Sequence, residues 1–140
     1  MDISVVVPLY NEEESLPELY AWIERVMHEH HFTYEVIFVN DGSTDHSCRS
    51  SKSLAGSQKE VKGIKFRRNY GKSPALFCGF KKAEGDVIIT MDADLQDPPE
   101  YLPKMFEAMN QPACGHCRYR RVTRKGEPKF VPYFATGQFY

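Results

Sequence analysis

Short apolar runs alternate with amphipathic helical patterns along the first 110 residues of the chain. Apolar and β-branched residues fill the first run, residues 3–8, which predicts a strand covered on both faces of a sheet, and the run at residues 61–66 predicts a weaker strand. Between the runs, apolar positions recur with a 3.6-residue period, which predicts helices. Ser15 and Glu18 have the spacing of a capping box at the start of the first helix. The predicted strands span residues 3–8, 36–39, 61–66 and 86–91, and the predicted helices span 16–27, 43–55, 73–84 and 99–110.

This alternation predicts an α/β fold with a doubly wound, mostly parallel sheet and helices on both faces. Sheets of this kind bind ligands beyond the carboxyl ends of their strands. Polar residues follow all four predicted strands, at Tyr10–Glu12, Asn40–Asp41, Arg67–Asn69 and Asp92–Asp94. The sequence therefore predicts one ligand site at this edge of the sheet.

Composition and charge limit the classes of protein. The chain has 140 residues, of which 41% are hydrophobic and 26% charged, as in a soluble globular protein of about one domain. No apolar run approaches the ~20 residues of a membrane helix, and no secretory signal follows Met1, so a cytoplasmic location is expected. Residues 1–60 have a net charge of −7 and residues 61–140 a net charge of +6. This asymmetry indicates an anionic partner on the basic side, such as a nucleotide phosphate, a lipid phosphate or a nucleic acid.

The last part of the chain differs in composition from the rest. Residues 110–140 contain no Leu, Ile or Met and are rich in aromatic and basic residues. We therefore predict a division into residues 1–110 and an irregular or incomplete segment, 111–140. The four cysteines are too few and too scattered for a disulfide framework. Cys114–Cys117 has the spacing of a thiol redox motif, but nothing upstream predicts a thioredoxin-type domain.

Two acidic sequences stand where predicted strands end. Asp92 and Asp94 are two residues apart after an extended run, so both carboxylates can point to one side and hold a cation between them. Mg²⁺ or Mn²⁺ takes oxygen ligands and often shares them with substrate phosphates, which favours a nucleoside diphosphate as ligand. A solvated acidic loop is the alternative for this pair, and an ordinary turn and helix cap is the alternative for Asp41–Ser43. The glycine-rich sequences of dinucleotide folds and P-loop enzymes are absent.

Four sequence stretches together resemble glycosyltransferase family 2 enzymes of the GT-A fold. The stretches are Val7–Glu13, Val39–Asp45, Arg68–Lys72 and Met91–Glu100. The last of them resembles the branch that transfers a sugar to a polyprenyl phosphate, as in dolichyl-phosphate mannose synthases and undecaprenyl-phosphate glycosyltransferases. The resemblance covers residue 3 to about residue 110.

The resemblance implies an inverting, metal-dependent transfer from a UDP- or GDP-linked sugar to a polyprenyl phosphate. It also implies roles for individual residues. Asp92 would contact the ribose or sugar, and Asp94 with Gln96 would hold Mg²⁺ or Mn²⁺. Asp92 and Asp94 are therefore the candidate catalytic residues. The residues implied at the nucleotide are Pro8, Tyr10, Glu12, Asp41, Lys72 and Asp92.

An acceptor phosphate is already ionised at neutral pH, so its attack needs cations rather than a base. Arg121 and Arg124, in a stretch that matches the family pattern, are the candidate cations. Arg118 and Arg120 occupy a position where the family has an apolar strand, so we expect a disrupted strand or a reading-frame irregularity over residues 114–120.

The partners expected are the nucleotide sugar, the lipid acceptor and a membrane surface, without nucleic acid. The chain would be the N-terminal part of an enzyme at the cytoplasmic face of the inner membrane. The alternatives are a family 2 enzyme with a sugar-hydroxyl acceptor, in cell-wall or polysaccharide synthesis, and an inactive nucleotide-binding remnant.

Overall fold

The computed structural model describes residues 1–110 and the two strand segments 117–121 and 130–134. Backbone contacts divide the chain into two compact units, Met1–Glu100 and Tyr101–Tyr140. The division predicted at residue 110 was drawn from composition and function and stays a prediction. Over the described part of the chain, no helix combines the length and the apolar character that crossing a membrane requires.

The first unit is built on a parallel sheet of four strands in the order β3-β2-β1-β4. The strands are β1 (Ile3–Leu9), β2 (Tyr34–Asn40), β3 (Val61–Lys65) and β4 (Val87–Thr90). The helices are α1 (Leu16–Glu29), α2 (Ser47–Ser57) and α3 (Lys72–Lys82), and a 3₁₀ turn follows at Pro99–Tyr101. The chain proceeds from β1 outward to β3 and then crosses to the other side of β1 to form β4. The predicted doubly wound parallel sheet is confirmed, with its topological switch point between β1 and β4.

Both faces of the central strands are buried. Val6 and Val39 pack with Ala75 of α3 in one apolar cluster. A Cβ added at Gly79 of α3 would lie 2.3 Å from Val6 Cγ1, so helix and strand are in close contact there. On the opposite face, Gly63 of β3 lies against Ala55 of α2, because successive strand residues face alternate sides. This double coverage explains the continuous apolar runs of β1 and β2, whereas β4 alternates between buried and exposed positions, with Ile88 40% exposed.

α1 begins at Leu16 as predicted, but its cap and the start of α2 differ from the predicted ones, because loop side chains make other hydrogen bonds. Ser15 precedes α1 but does not cap it, because its hydroxyl donates to the Glu12 carbonyl at 3.1 Å and to Glu12 Oε2 at 3.3 Å. The predicted capping box is therefore wrong. The second helix begins at Ser47 rather than at residue 43, because residues 41–46 form the loop described below.

The second unit contains α4 (Leu102–Met109) and two antiparallel strands, β5 (Cys117–Arg121) and β6 (Phe130–Phe134). The predicted helix 99–110 is thus divided into the 3₁₀ turn and α4. The disrupted strand that we expected is not found over Cys117–Arg121, which is paired along its whole length. The remainder of that stretch, residues 114–116, lies outside the described residues.

A buried carboxylate stands at the amino edge of the sheet, on β2. Glu35 is 1% exposed, and its Oε1 accepts hydrogen bonds from the Ser4 hydroxyl at 2.5 Å and the Glu84 N–H at 2.6 Å. The Lys62 ammonium lies 2.7 Å from Oε2. Burial alone would raise the pKa of Glu35, but these hydrogen bonds and the Lys62 charge outweigh it and hold that pKa below its usual range.

Candidate functional site

The chain leaves three neighbouring strands at the same edge of the sheet. The Asp41 N–H donates to the Leu9 carbonyl at 2.9 Å, so the end of β2 lies beside the end of β1. The Met91 N–H donates to the Val6 carbonyl at 3.0 Å, which extends β4 along β1 to the residue before Asp92. The predicted gathering of polar residues at the carboxyl edge is therefore present in the structure.

Asn11 joins the loop after β1 to the loop after β2. It has a φ of 53°, in the left-handed region that asparagine adopts more readily than most residues. Its N–H donates to Ser43 Oγ at 3.1 Å, and its Oδ1 accepts the Thr44 N–H at 2.9 Å. These bonds connect residues more than 30 positions apart, and they fix the chain on which Tyr10 stands.

Asp45 strengthens the same junction and holds the start of α2. Its Oδ2 accepts the Glu13 N–H at 3.2 Å, and its Oδ1 accepts the Ser47 N–H at 2.9 Å. Burial raises the pKa of Asp45, but the bonds from Ser47 and the Glu13 N–H outweigh it and hold the pKa below its usual range. The Ser47 hydroxyl in turn accepts the Glu12 N–H at 2.9 Å. The two loops are thus held together by hydrogen bonds in both directions.

Asp41 is buried and holds the loop after β3. Its Oδ1 accepts the Tyr70 N–H at 2.7 Å, and its Oδ2 accepts the Gly71 N–H at 3.0 Å. Gly42, with a φ of 72°, allows the same two loops to touch, because a Cβ there would lie 2.2 Å from the carbonyl carbon of Arg68. Asp41 therefore acts first as an anchor for the loop, and its contact with a nucleobase stays a prediction.

The loop after β3 carries an aromatic and basic surface. The Arg68 guanidinium lies 4.8 Å from the centre of the Tyr70 ring, in the geometry of a cation–π interaction. Phe66 meets Tyr70 edge to face at 5.6 Å between ring centres. Tyr70 remains half exposed, so the ring of Tyr70 and the guanidinium of Arg68 form an aromatic, positively charged surface that is accessible to a ligand.

Lys72 connects the loop after β3 to the loop after β4. β3 and β4 are the two outer strands of the sheet, so the chain from Phe66 to Lys72 passes over the carboxyl edge. At the end of this passage the Lys72 ammonium forms an ion pair with the Asp92 carboxylate. The structure thus brings Asp41, Lys72 and Asp92, three of the predicted site residues, to one continuous edge.

The acidic pair after β4 is accessible to solvent. Ala93 between the two acids is buried, whereas the side chain of Asp92 is 48% exposed and Asp94 is exposed. Asp94 Oδ1 accepts the Gln96 N–H at 3.2 Å, which closes a local turn. Among the ion pairs of the described residues, none involves Asp94.

The carboxylate oxygens of Asp94 fit a divalent cation that also binds a ligand. The carboxylate of Asp94 is exposed, and hard cations prefer such oxygen donors. Over the described residues, however, no group of three or more His, Cys, Asp or Glu side chains is placed to hold a metal alone. A cation at Asp94 would therefore complete its shell with ligand oxygens or water.

The remaining predicted residues fall into two groups. Pro8, Tyr10 and Glu12 lie at the end of β1 and on the loop after it, where Tyr10 is 45% exposed. Arg121 is the last residue of β5, in the second unit, and Arg124 lies outside the described residues.

Sequence reasoning missed the residues that position the site. Asn11, Asp45 and Ser47 hold two loops together. Trp22 donates its indole N–H to Glu100 Oε1 at 2.6 Å, at the end of the acidic segment, residues 92–100. Asparagine, aspartate and serine just after predicted strands are typical loop-forming residues, and this was the one available indication. Nothing in the sequence pairs Trp22 with a residue 78 positions away.

Solved structures share this architecture. TarS from S. aureus in complex with UDP-GlcNAc aligns with a TM-score of 0.64 and 23% identity over 92% of this chain and 37% of that chain. The mannosyltransferase PcManGT from Pyrobaculum calidifontis, in complex with GDP-Man and Mn²⁺, aligns with a TM-score of 0.61 and 23% identity over 79% of this chain and 32% of that chain. The predicted GT-A fold is confirmed by these similarities.

Proteins found by sequence similarity have higher identity to this chain than these structures do. An undecaprenyl-phosphate 4-deoxy-4-formamido-L-arabinose transferase from Aeromonas hydrophila is 44% identical over 112 residues, which are 78% of this chain and 34% of that protein. The chain thus spans about a third of the length of this relative. The family model for glycosyl transferase family 2 matches residues 4–135, nearly the whole chain. The chain therefore belongs to glycosyl transferase family 2.

Proposed function

We propose that this chain is the donor-binding part of an inverting, metal-dependent glycosyltransferase that moves a sugar from a nucleoside diphosphate to a polyprenyl phosphate. The observation that carries the proposal is the exposed pair Asp92 and Asp94 at the switch point of a GT-A sheet, beside the anchored loop that begins at Asp41. The name of the A. hydrophila relative, an undecaprenyl-phosphate transferase, supports the acceptor class.

In this proposal the nucleoside binds at the ends of β1 and β2. Tyr10 is exposed there and offers a ring face for a base, while Pro8 and Glu12 lie on either side of it in sequence. Asp41 keeps the loop after β3 in place and contacts the base with its remaining lone pairs, since a carboxylate can accept about four hydrogen bonds. The neighbours TarS and PcManGT were solved with UDP-GlcNAc and GDP-Man, so the proposed donor is UDP- or GDP-linked.

Asp94 with Gln96 would hold Mg²⁺ or Mn²⁺, and Asp92 would contact the ribose or the sugar. The cation would neutralise the negative charge that develops on the leaving diphosphate. The presence of Mn²⁺ in the PcManGT complex supports this assignment. The carboxylate of Asp94 makes no ion pair among the described residues, so it is available for a cation.

The proposed acceptor explains why the site needs no further base. A polyprenyl phosphate is ionised at neutral pH and attacks the anomeric carbon without losing a proton. Arg121 and Arg124 would hold this phosphate through charge-assisted hydrogen bonds. The basic, aromatic segment 111–140 would lie on an anionic membrane, at the cytoplasmic face of the inner membrane.

The test of the donor site is calorimetric titration with UDP and with GDP, with and without Mn²⁺. We expect Mn²⁺-dependent binding of one nucleotide and its loss in Asp94→Ala. Asp86→Ala, which removes an exposed acid at the opposite end of β4, is the matched control and should bind normally. Equal affinity in Asp94→Ala and in the unchanged protein would contradict the role of Asp94.

The test of the acceptor is turnover with undecaprenyl phosphate, compared with hydrolysis of the nucleotide sugar alone. Transfer to the lipid phosphate is the expected result. Transfer to a sugar hydroxyl instead would favour the other family 2 reaction, and nucleotide binding without any transfer would identify an inactive remnant.

A further inference from the structure

Lys72 makes an unusual connection across the site. It is the first residue of α3, it arrives from the outer strand β3, and its ammonium pairs with Asp92 beyond the other outer strand, β4. Both side chains are about half exposed, at 58% for Lys72 and 48% for Asp92. An ion pair this exposed is weak, typically up to about 1 kcal/mol, and it exchanges readily.

The Lys72–Asp92 ion pair neutralises one of the two acids after β4 and leaves the other negatively charged. Asp92 is neutralised by Lys72, whereas Asp94 has no ion-pair partner among the described residues. A lysine ammonium is a compact, strongly hydrated positive charge on a flexible four-carbon stem. It therefore stands beside one carboxylate of the pair at which a divalent cation is proposed to bind.

We propose that Lys72 is an exchangeable counterion of Asp92 that opposes binding of the divalent cation at the neighbouring Asp94 and transfers to the diphosphate when the nucleotide binds. The inference rests on the proposed donor site and adds an order of events to it. Without nucleotide, Lys72 weakens cation binding by neutralising Asp92 and by repelling a second positive charge. With nucleotide, the diphosphate supplies new negative charge, and Lys72 leaves Asp92 for it.

The surroundings of Lys72 permit this exchange. The preceding backbone is fixed, because the Gly71 N–H is held by Asp41 at 3.0 Å and the buried Ala75 anchors the first turn of α3. Only the flexible lysine side chain has to move. The result is positive coupling between cation and nucleotide, each of which raises the affinity of the other by the same factor.

The experiment measures Mn²⁺ binding by electron paramagnetic resonance, first with the protein alone and then with saturating UDP or GDP. The variants are Lys72→Met, Lys72→Arg and the control Lys82→Met, which removes the same charge at the far end of α3, about 15 Å away and beyond the screening length at 0.15 M salt. We expect Lys72→Met to bind Mn²⁺ alone about three- to tenfold more tightly. In the presence of Mn²⁺ we expect it to bind the nucleotide about three- to tenfold more weakly.

Tighter binding of Mn²⁺ alone together with weaker binding of the nucleotide is the result that an exchangeable counterion predicts for Lys72→Met. Lys72→Arg, which keeps the charge, and Lys82→Met should both bind Mn²⁺ alone as the unchanged protein does. Equal or weaker Mn²⁺ binding by folded Lys72→Met would overturn the inference, because a structural lysine would lower both affinities. If the unchanged protein binds neither nucleotide, the proposed function fails, and the titrations with Mn²⁺ alone still decide whether Lys72 opposes cation binding at Asp94.

Discussion

Gly42 allows two loop backbones to touch, and it does so with a left-handed backbone conformation. A side chain here would meet the backbone of Arg68 and Asn69, which has no flexible end that could move away. We expect Gly42→Ala to destabilise the protein by about 1–3 kcal/mol through overpacking, with further strain from the positive φ. The free energy of unfolding, measured by urea denaturation, checks this.

Gly56→Ala is the matched control at the residue scale. Gly56 lies in α2 with nothing within 4 Å of an added Cβ, so alanine should stabilise the protein by about 0.5–1 kcal/mol through its helix propensity. Opposite signs for the two glycines are expected. Similar small effects at both positions would mean that the loops do not touch at Gly42.

The residues at these contacts show what a sequence can and cannot reveal. Asp41 was identified as a site residue because it follows an apolar run, and its place at the carboxyl edge is confirmed. Its bonds to Tyr70 and Gly71 could not be predicted, because they depend on how a loop 29 residues later crosses the sheet. Residue type and strand position predict the edge on which a side chain stands, whereas its partners depend on the path of distant chain.

At the scale of elements, α1 is joined to the acidic segment after β4. Trp22, the one tryptophan of the sequence, donates to Glu100, and the Arg25 guanidinium lies 3.6 Å from the same oxygen. Glu100 is the middle residue of the 3₁₀ turn Pro99–Tyr101, eight residues after Asp92. These two contacts with Glu100 therefore hold the end of the segment 92–100, which carries the proposed donor-site carboxylates of Asp92 and Asp94.

We expect Glu100→Ala to shift the tryptophan emission, because the indole N–H loses its charged acceptor. It should also weaken Mn²⁺-dependent nucleotide binding several-fold, since the acidic segment is less well anchored. The change in stability should stay below about 1 kcal/mol, because the contact is exposed. Fluorescence spectra, calorimetry and thermal unfolding check the three parts.

Arg25→Met is the control for this link, because it removes the longer ion pair and leaves the indole hydrogen bond. It should leave both the emission and the nucleotide affinity close to those of the unchanged protein. An unchanged emission in Glu100→Ala would show that Trp22 and Glu100 are not bonded in solution.

Element types were readable from the sequence, but some element ends were not. The strands appeared where apolar runs predicted them, because burial in a sheet removes such runs from water; β1 and β2 are buried on both faces and β4 on one. The start of α2 was misplaced because Asn40 accepts the Ser43 N–H within the loop after β2, while Ser43 and Asp45 accept hydrogen bonds from the loop after β1. Caps and turns draw on the same residue types, so only the distant partner decides between them.

At the scale of the whole molecule, the two edges of the sheet have different roles. The carboxyl edge carries exposed charges in weak pairs, as at Lys72 and Asp92. The amino edge carries the buried carboxylate of Glu35, which accepts two hydrogen bonds at Oε1 and faces the Lys62 ammonium at Oε2. Substitution of Glu35 should therefore change stability, whereas substitution of Lys72 should change ligand binding.

Glu35→Gln should destabilise the protein by about 1.5–3 kcal/mol at pH 7, the usual worth of hydrogen bonds to a charged group. The pKa of Glu35 is lowered in the folded protein, so its contribution is complete above the ordinary glutamate range of about 4–5 and is lost as the pH falls through the lower folded value. The difference in unfolding free energy between Glu35→Gln and the unchanged protein should therefore shrink on acidification, because a protonated Glu35 resembles glutamine.

Glu84→Gln is the control: it alters the exposed partner of the same Lys62, at 3.0 Å, and should change stability by less than about 1 kcal/mol. Urea denaturation from pH 7 to pH 3 measures these differences, and a difference that stays constant over that range would contradict the charged state assigned to Glu35.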